Sequence, residues 1–185
     1  MSRLPKKFSP ASLPLTLRFG QRRCILRRLR MQDASKLLDF FKSHTPETVR
    51  MRYGYAGFVM TPEKAAQMAG VDQKKNAALA IVEKDGNASR IVAVGRYTLD
   101  PEGRSAEMAF VVHEDRRALG MASVLLDALT CIARQRKIER FHAQTSADNF
   151  AMLGIFLKVG ARIKVIAGTD GVEANLPISA EPAAK

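Results

Sequence analysis

Cysteine is scarce in this chain. Cys24 and Cys131 lie far apart and form no C-x-x-C pair, which argues against a disulfide framework or a thiolate metal site. Each is read as a small core hydrophobe. No apolar run approaches the roughly 20 residues of a membrane span, and no cleavable signal region is recognised. The chain is therefore expected to be cytoplasmic, with no membrane partner. His44 and His142 have no carboxylate or cysteine at ligand spacing, so no metal is expected. No internal repeat is visible.

Acidic residues are missing from the first thirty positions. That segment carries nine basic residues (Arg3, Lys6, Lys7, Arg18, Arg22, Arg23, Arg27, Arg28 and Arg30), and the first acid is Asp33. The remaining positions hold 21 basic against 18 acidic residues, so the net charge of +12 belongs mostly to the N-terminal part. Attraction to an anionic partner is the functional reading, and a weak one is allowed for. A solvated basic tail is favoured instead, because no aromatic or base-reading pattern interleaves the arginines.

At 185 residues, with 46% hydrophobic and 26% charged, one domain is expected, burying roughly 70% of its unfolded-chain surface. The three prolines in residues 1–14 predict a basic mobile arm. A single domain is expected over 15–176 and a frayed tail over 177–185. Leu15–Phe19 and Arg22–Leu29 flank Gly20-Gln21 as a hairpin, and Asp33 is read as the cap of a helix carrying Leu37, Leu38, Phe40 and Phe41. Thr45-Pro46-Glu47 and Thr61-Pro62-Glu63 repeat one helix-start signal, predicting short helices near 46–53 and 62–69. Strands are expected at Ala77–Glu83, Arg90–Leu99 and Ser105–His113, and a helix at about 117–136 has an apolar stripe of Met121, Val124, Leu125, Ala128, Leu129 and Ile132. A strand at Arg140–Thr145, a helix ending before Gly160 and two closing strands complete an α/β mixed sheet with helices on both faces.

The stretch from Ala106 to Ala122 is the most informative. An apolar strand runs into Arg117-Ala118-Leu119-Gly120-Met121-Ala122, and an amphipathic helix follows. A helix that starts on such a turn leaves its first N–H groups unpaired and converging, which makes a cradle for phosphate. Glu107 is a lone carboxylate on the strand that feeds it.

These residues resemble the GNAT superfamily of N-acetyltransferases over roughly residues 15–170. Arg117 to Ala122 is similar to the family's Gln/Arg-x-x-Gly-x-Gly/Ala acyl-CoA loop. Ala106-Glu107-Met108-Ala109-Phe110 is similar to the strand bearing the catalytic glutamate in protein-lysine acetyltransferases. Asn149, seven residues before Phe156 and eleven before Gly160, resembles the family's Asn…Tyr…Gly helix. Arg27-Arg28-Leu29 and His44 through Tyr53 are similar to the catalytic domain of bacterial Pat-like protein-lysine acetyltransferases.

The resemblance implies a mixed, mostly antiparallel GNAT sheet with helices on both faces, and acetyl-CoA as co-substrate. It implies that the amides of Arg117, Ala118, Leu119, Gly120, Met121 and Ala122 bind the pyrophosphate. Main-chain groups of Val111 and Val112 would pair with the pantetheine arm, Asn149 would hydrogen-bond the cofactor, and Glu107 would be the general base. Tyr53 and Tyr55 would lie in the acceptor-binding region, one packing in the core and the other contacting the substrate. Two departures stand out: Ala118 takes the place of a frequent glycine, and Phe156 stands where many relatives have a tyrosine. Phe156 is expected beside the cofactor's thiol end or in the core.

Energetics rank these groups. A lysine amine with pKa near 10.4 costs about 4.6 kcal/mol to deprotonate at neutral pH, whereas a thiol-like leaving group costs only about 2 kcal/mol. A base therefore matters more than an acid. The leading expectation is an acetyl-CoA-dependent N-acetyltransferase with protein lysine as favoured acceptor. Alternatives are a polyamine or amino-sugar acetyltransferase and a non-catalytic acyl-CoA-sensing domain. The length leaves no room for a fused regulatory domain, so none is expected.

Overall fold

Why does an eight-stranded sheet form, and what sits on each face? A computed structural model describes residues 4–53, 58–85 and 88–178. The hairpin is as expected: β1 (Leu15–Phe19) pairs with β2 (Arg22–Arg28). Three helices follow, α1 (Ala34–Lys42), α2 (Pro46–Tyr53) and α3 (Pro62–Ala69). Both Thr-Pro-Glu signals act as anticipated. The Thr61 hydroxyl accepts the Lys64 amide at 3.3 Å, and the Thr45 hydroxyl accepts the Thr48 amide at 3.3 Å.

Next come β3 (Ala77–Asp85), β4 (Ala88–Leu99) and β5 (Ser105–Val112), then α4 (Met121–Gln135), β6 (Arg140–Ser146), α5 (Phe150–Lys158), β7 (Arg162–Val165) and β8 (Gly171–Pro177). The strand order is β1-β2-β3-β4-β5-β6-β8-β7, and β5–β6 is the parallel pair in an otherwise antiparallel sheet.

One core lies between the sheet and α4, with Leu26, Leu79, Met108, Leu125, Leu129 and Phe141 fully or almost fully buried. A second core, with Leu37, Phe40, Phe41 and Ala65, covers the opposite face beneath α1 and α3. Each fully buried leucine contributes about 1.5–3 kcal/mol. Gly95 on β4 lets α4 approach, because a Cβ there would stand 2.9 Å from the Phe110 ring and 3.1 Å from the Leu125 Cβ.

Three expectations are corrected. Residues 4–14 are not a mobile arm. Leu4, Phe8 and Leu13 pack against the α4 core, and a 3-10 turn at Pro10–Ser12 buries Pro10. The apolar residues spaced among the prolines cover surface that α4 leaves bare. Asp33 does not cap α1 through its side chain. Its carboxylate receives both terminal Arg27 nitrogens at 2.6 Å and the Arg30 amide at 2.9 Å, so it caps the short 3-10 turn at Met31–Asp33 and pairs with Arg27 rather than capping α1. The helix expected from about 117 starts instead at Met121, after a 3-10 turn at Glu114–Arg116. At the other end, Pro177 closes β8 and Ile178 is buried; the rest of the expected tail lies outside the described residues.

Candidate active site

The parallel pair opens a wedge in the sheet. β5 pairs with β4 throughout Ala106–Val112, but with β6 only at Ser105, Ala106 and Glu107. Beyond that point β6 continues with β8 alone as far as Ser146. Antiparallel ladders alternate the direction of their main-chain groups. Asp100 N–H donates to the Ser105 carbonyl and His113 N–H to the Val92 carbonyl, so odd-numbered residues of β5 point their main chain toward β4. Phe110 and Val112 therefore present theirs to the open side, beyond the last β5–β6 pair at Glu107. Of the two residues expected there, Val112 fits. Val111 is corrected: its main chain belongs to the ladder with Val94, and its side chain is buried in the core under α1.

Glu107 occupies the last paired position, at the apex of the wedge, opposite Thr98 on one side and His142 on the other. Its neighbours Ala106 and Met108 are buried in the α4 core. Alternation sends the Glu107 side chain to the other face, where it is exposed and where α2 crosses β5 and β6. The sequence reading missed what surrounds it. His142 Nε2 lies 3.0 Å from Asp100 Oδ2, and Asp100 also accepts the Ser105 hydroxyl. The Ser105 bond, with that from His142, holds the Asp100 carboxyl below its usual range despite some burial. An open cleft of about 480 Å³ runs past these groups, lined also by Glu102, Arg140, Glu173 and Asn175. Strands far apart in the chain supply them, so no local spacing pointed to them.

At the wide end of the wedge is the start of α4. Gly120 takes the N-cap position at φ 85°, and no side chain caps the helix. The amide of Val124 is the first to bond within it, to the Gly120 carbonyl, so the N–H groups of Met121, Ala122 and Ser123 remain for another acceptor. Arg117 is exposed and donates to the Thr48 hydroxyl of α2, while Leu119 packs on the α4 core and Met121 is buried within it.

A buried ion cluster holds this turn. The Glu83 carboxylate, 5% exposed, accepts Arg116 at 2.8 and 3.1 Å, Arg22 at 2.7 Å and Arg90 at 3.2 Å. Burial alone would raise its pKa; the Arg116 and Arg22 hydrogen bonds outweigh this and lower it. Arg22 of the cationic N-terminal segment thus helps neutralise an acid contributed by β3.

Ala118 has φ 60°, the left-handed region that glycine adopts without strain. The added methyl leaves the turn in place, at a cost. Ala118→Gly should therefore stabilise the protein by about 0.5–1 kcal/mol, raising the thermal midpoint by roughly 1–4 °C; calorimetry showing a lower midpoint would contradict this.

Asn149 flanks the wedge from the β6 side. Its Oδ1 caps α5 by accepting the Met152 amide at 3.3 Å, and its Nδ2 donates to Thr145 at 2.9 Å. Each of these atoms keeps one further hydrogen-bonding position. α2 bridges the opening, since Arg50 reaches Asp148 at 2.7 Å.

Phe156 is 1% exposed and belongs to the α4 core; of the two places expected for it, it takes the core. Phe156→Tyr should then bury a hydroxyl among apolar groups and lower stability by about 1–3 kcal/mol, measurable by denaturant titration. A tyrosine variant of unchanged stability would show that the ring's edge reaches the wedge.

Both histidines set aside in sequence have carboxylates after all. His142 meets Asp100, as described, and His44 Nδ1 lies 3.1 Å from Glu114 Oε2. These partners are distant in sequence, so spacing could not reveal them. Tyr53 ends α2, and Tyr55 lies outside the described residues.

A family model described as an acetyltransferase (GNAT) domain matches residues 23–162, well over half of the chain. The chain belongs to the GNAT acetyltransferase family. The acetyltransferase Pat of Mycolicibacterium smegmatis is 32% identical over 81 residues, covering 43% of this chain and 24% of that protein. The chain thus matches about a quarter of its curated relative. The GNAT domain of S. lividans PAT superposes with a TM-score of 0.75 at 23% identity, covering 86% of this chain and 93% of that one. A cAMP-binding acyltransferase from Mycobacterium smegmatis superposes with a TM-score of 0.62 at 22% identity, over 90% of this chain and 48% of that chain. These likenesses establish the GNAT fold, and the GNAT family uses acetyl-CoA. Among the described residues, no helix is long and apolar enough to cross a membrane.

Proposed function

We propose that this GNAT domain transfers the acetyl group of acetyl-CoA to a primary amine, with protein lysine as the favoured acceptor and Glu107 as general base. The observation that carries the reading is the wedge: it begins at Glu107 and leads along unpaired main chain to an uncapped helix start. The residues fit the cofactor. The free amides at Met121, Ala122 and Ser123, with those of Ala118, Leu119 and Gly120, receive the pyrophosphate, where the helix dipole favours anions; the Arg117 amide, expected among them, is instead bonded to the Glu114 carbonyl at 3.3 Å. Gly120 keeps a Cβ away from the approaching phosphate. Main-chain groups of Phe110 and Val112 pair with the pantetheine amides as an added strand would, and the remaining hydrogen-bonding positions of Asn149 serve the same arm.

When bound, acetyl-CoA supplies the activated carbonyl. Glu107 takes a proton from the acceptor ammonium, through water where the gap requires it, and the neutral nitrogen attacks the thioester carbon. A C–N bond forms, the C–S bond breaks, and the second proton released from nitrogen passes through water to the departing thiolate. A thiolate that leaves unprotonated lies only about 2 kcal/mol above the thiol at neutral pH, so transfer does not require a phenol at Phe156. Asp100, Glu102 and Glu173 give an acidic lining to the cleft that His142 also lines, offset in part by Arg140, and Glu107 pairs with His142 across the sheet; such a lining suits a cationic acceptor.

Incubation with isotope-labelled acetyl-CoA and a pool of lysine peptides, polyamines and amino sugars, followed by mass spectrometry, tests this. Label on lysine side chains is the expected result. Label confined to small amines would move the acceptor to that class, and no transfer to any amine would defeat the reading.

A further inference from the structure

His44 and His113 come from different parts of the chain and meet at the turn that enters the cradle. His44 ends the segment after α1, and its side chain is 1% exposed. His113 follows β5 and is 15% exposed. Their rings lie 5.3 Å apart, and Glu114 stands between them. His44 Nδ1 is 3.1 Å from Glu114 Oε2, and His113 Nδ1 is 3.8 Å from that same oxygen. One donor atom from each of the three residues falls within 4.8 Å of the others.

From these positions we propose that His44, His113 and Glu114 bind a single divalent transition-metal ion of the zinc class. Zinc–nitrogen and zinc–oxygen bonds of about 2.0–2.1 Å in a tetrahedron place ligand atoms about 3.3 Å apart. The two separations from Glu114 Oε2 bracket that value, and closing the site requires His113 Nδ1 to turn from Asp115 toward Glu114. Two imidazoles and one carboxylate suit Zn²⁺ or Co²⁺ and are poor for Mg²⁺ or Ca²⁺, which want oxygen.

Supporting contacts orient the ligands. Glu114 Oε1 is held by the Thr45 amide at 2.9 Å and the Thr45 hydroxyl at 3.1 Å, which leaves Oε2 for the ion. His44 Nε2 is buried with no hydrogen-bond partner, and the Phe40 ring packs edge-on at 4.5 Å. That packing fixes the ring so that Nδ1 is the nitrogen facing the carboxylate. The ion takes the tautomer with the proton on Nε2. Solvent completes the tetrahedron on the side where His113 and Glu114 are partly exposed. Asp115 competes for one ligand: its Oδ1 lies 2.5 Å from His113 Nδ1, so the ion must displace that hydrogen bond, while Oδ2 stays paired with Arg90 at 3.0 Å and Arg116 at 2.9 Å. A bound ion would clamp the α1–α2 junction to the turn preceding Arg117.

The test uses the untagged full chain, Co²⁺ as a spectroscopic probe and Zn²⁺ as competitor. The expected result is one Co²⁺ per chain with the visible absorption of a tetrahedral site, displaced by Zn²⁺, and a thermal midpoint raised by Zn²⁺. His113→Ala and Glu114→Gln should each weaken Co²⁺ binding at least tenfold with unchanged circular dichroism. His142→Ala, which removes a carboxylate-paired histidine elsewhere, should leave it intact. His113 is partly exposed, so its variant remains informative if changes at buried His44 prevent folding. Absence of tetrahedral Co²⁺ absorption in the wild type up to millimolar metal would overturn the proposal. So would affinity unchanged in both site variants, or lost equally in His142→Ala.

Discussion

Replacing Glu107 by glutamine should lower turnover at neutral pH by roughly 10²-fold or more, while acetyl-CoA affinity stays within about twofold. The substitution keeps the shape of the side chain and removes its basicity. Glu107 is exposed and lies on the face opposite the α4 core, so folding should be unaffected, because exposed polar exchanges usually stay within about 0.5 kcal/mol. The wild-type rate should rise toward alkaline pH as the acceptor amine loses its proton unaided, and the variant should regain part of its rate there. Parallel pH–rate profiles, with calorimetric titration of acetyl-CoA, measure both halves. Equal turnover of the two proteins at neutral pH would remove Glu107 from the chemistry. The base would then be sought at His142, directly across the parallel pair and held by Asp100.

That alternative marks where sequence reasoning stops. Elements with local signals were legible: the hairpin around Gly20-Gln21, both Thr-Pro-Glu helix starts, and the apolar stripe of α4 all stand where their spacing put them. Features made by pairs distant along the chain were not. His44 and His142 look unpartnered until β-sheet register and the α1–α2 junction deliver Glu114 and Asp100. Residues 4–14 look mobile because prolines suppress periodicity, yet their few apolar side chains find the flank of α4.

The candidate site divides in the same way. Glu107 and the Gly120 turn follow one another along a strand–turn–helix unit, and a short motif suffices to point to them. The division of labour between Val111 and Val112 depends on which edge of β5 is left open, and that is settled by where β6 turns away. The role of Phe156 likewise depends on tertiary burial, which an isolated helical motif does not specify.

The second large effect is expected at Gly120. Gly120→Val should weaken CoA binding by tenfold or more, at least about 1.4 kcal/mol. Two independent penalties meet there. Gly120 stands at φ 85°, where a β-branched residue is strained by about 1–3 kcal/mol. Relief of that strain would tilt the amides of Met121 and Ala122 away from their common focus. A Cβ on the same residue would also occupy the approach of the pyrophosphate. Gly120→Ala adds a Cβ without branching and should give a smaller loss. Because strain could unfold the turn without touching a ligand, the measurement pairs calorimetric CoA titration with a thermal midpoint. Pantetheine, which lacks the phosphates, should be much less sensitive than CoA to the substitution. A folded Gly120→Val protein with unchanged CoA affinity would place the phosphates elsewhere. An equal loss for CoA and pantetheine would mean that the wedge itself had closed and that the helix start had no specific hold on the phosphates.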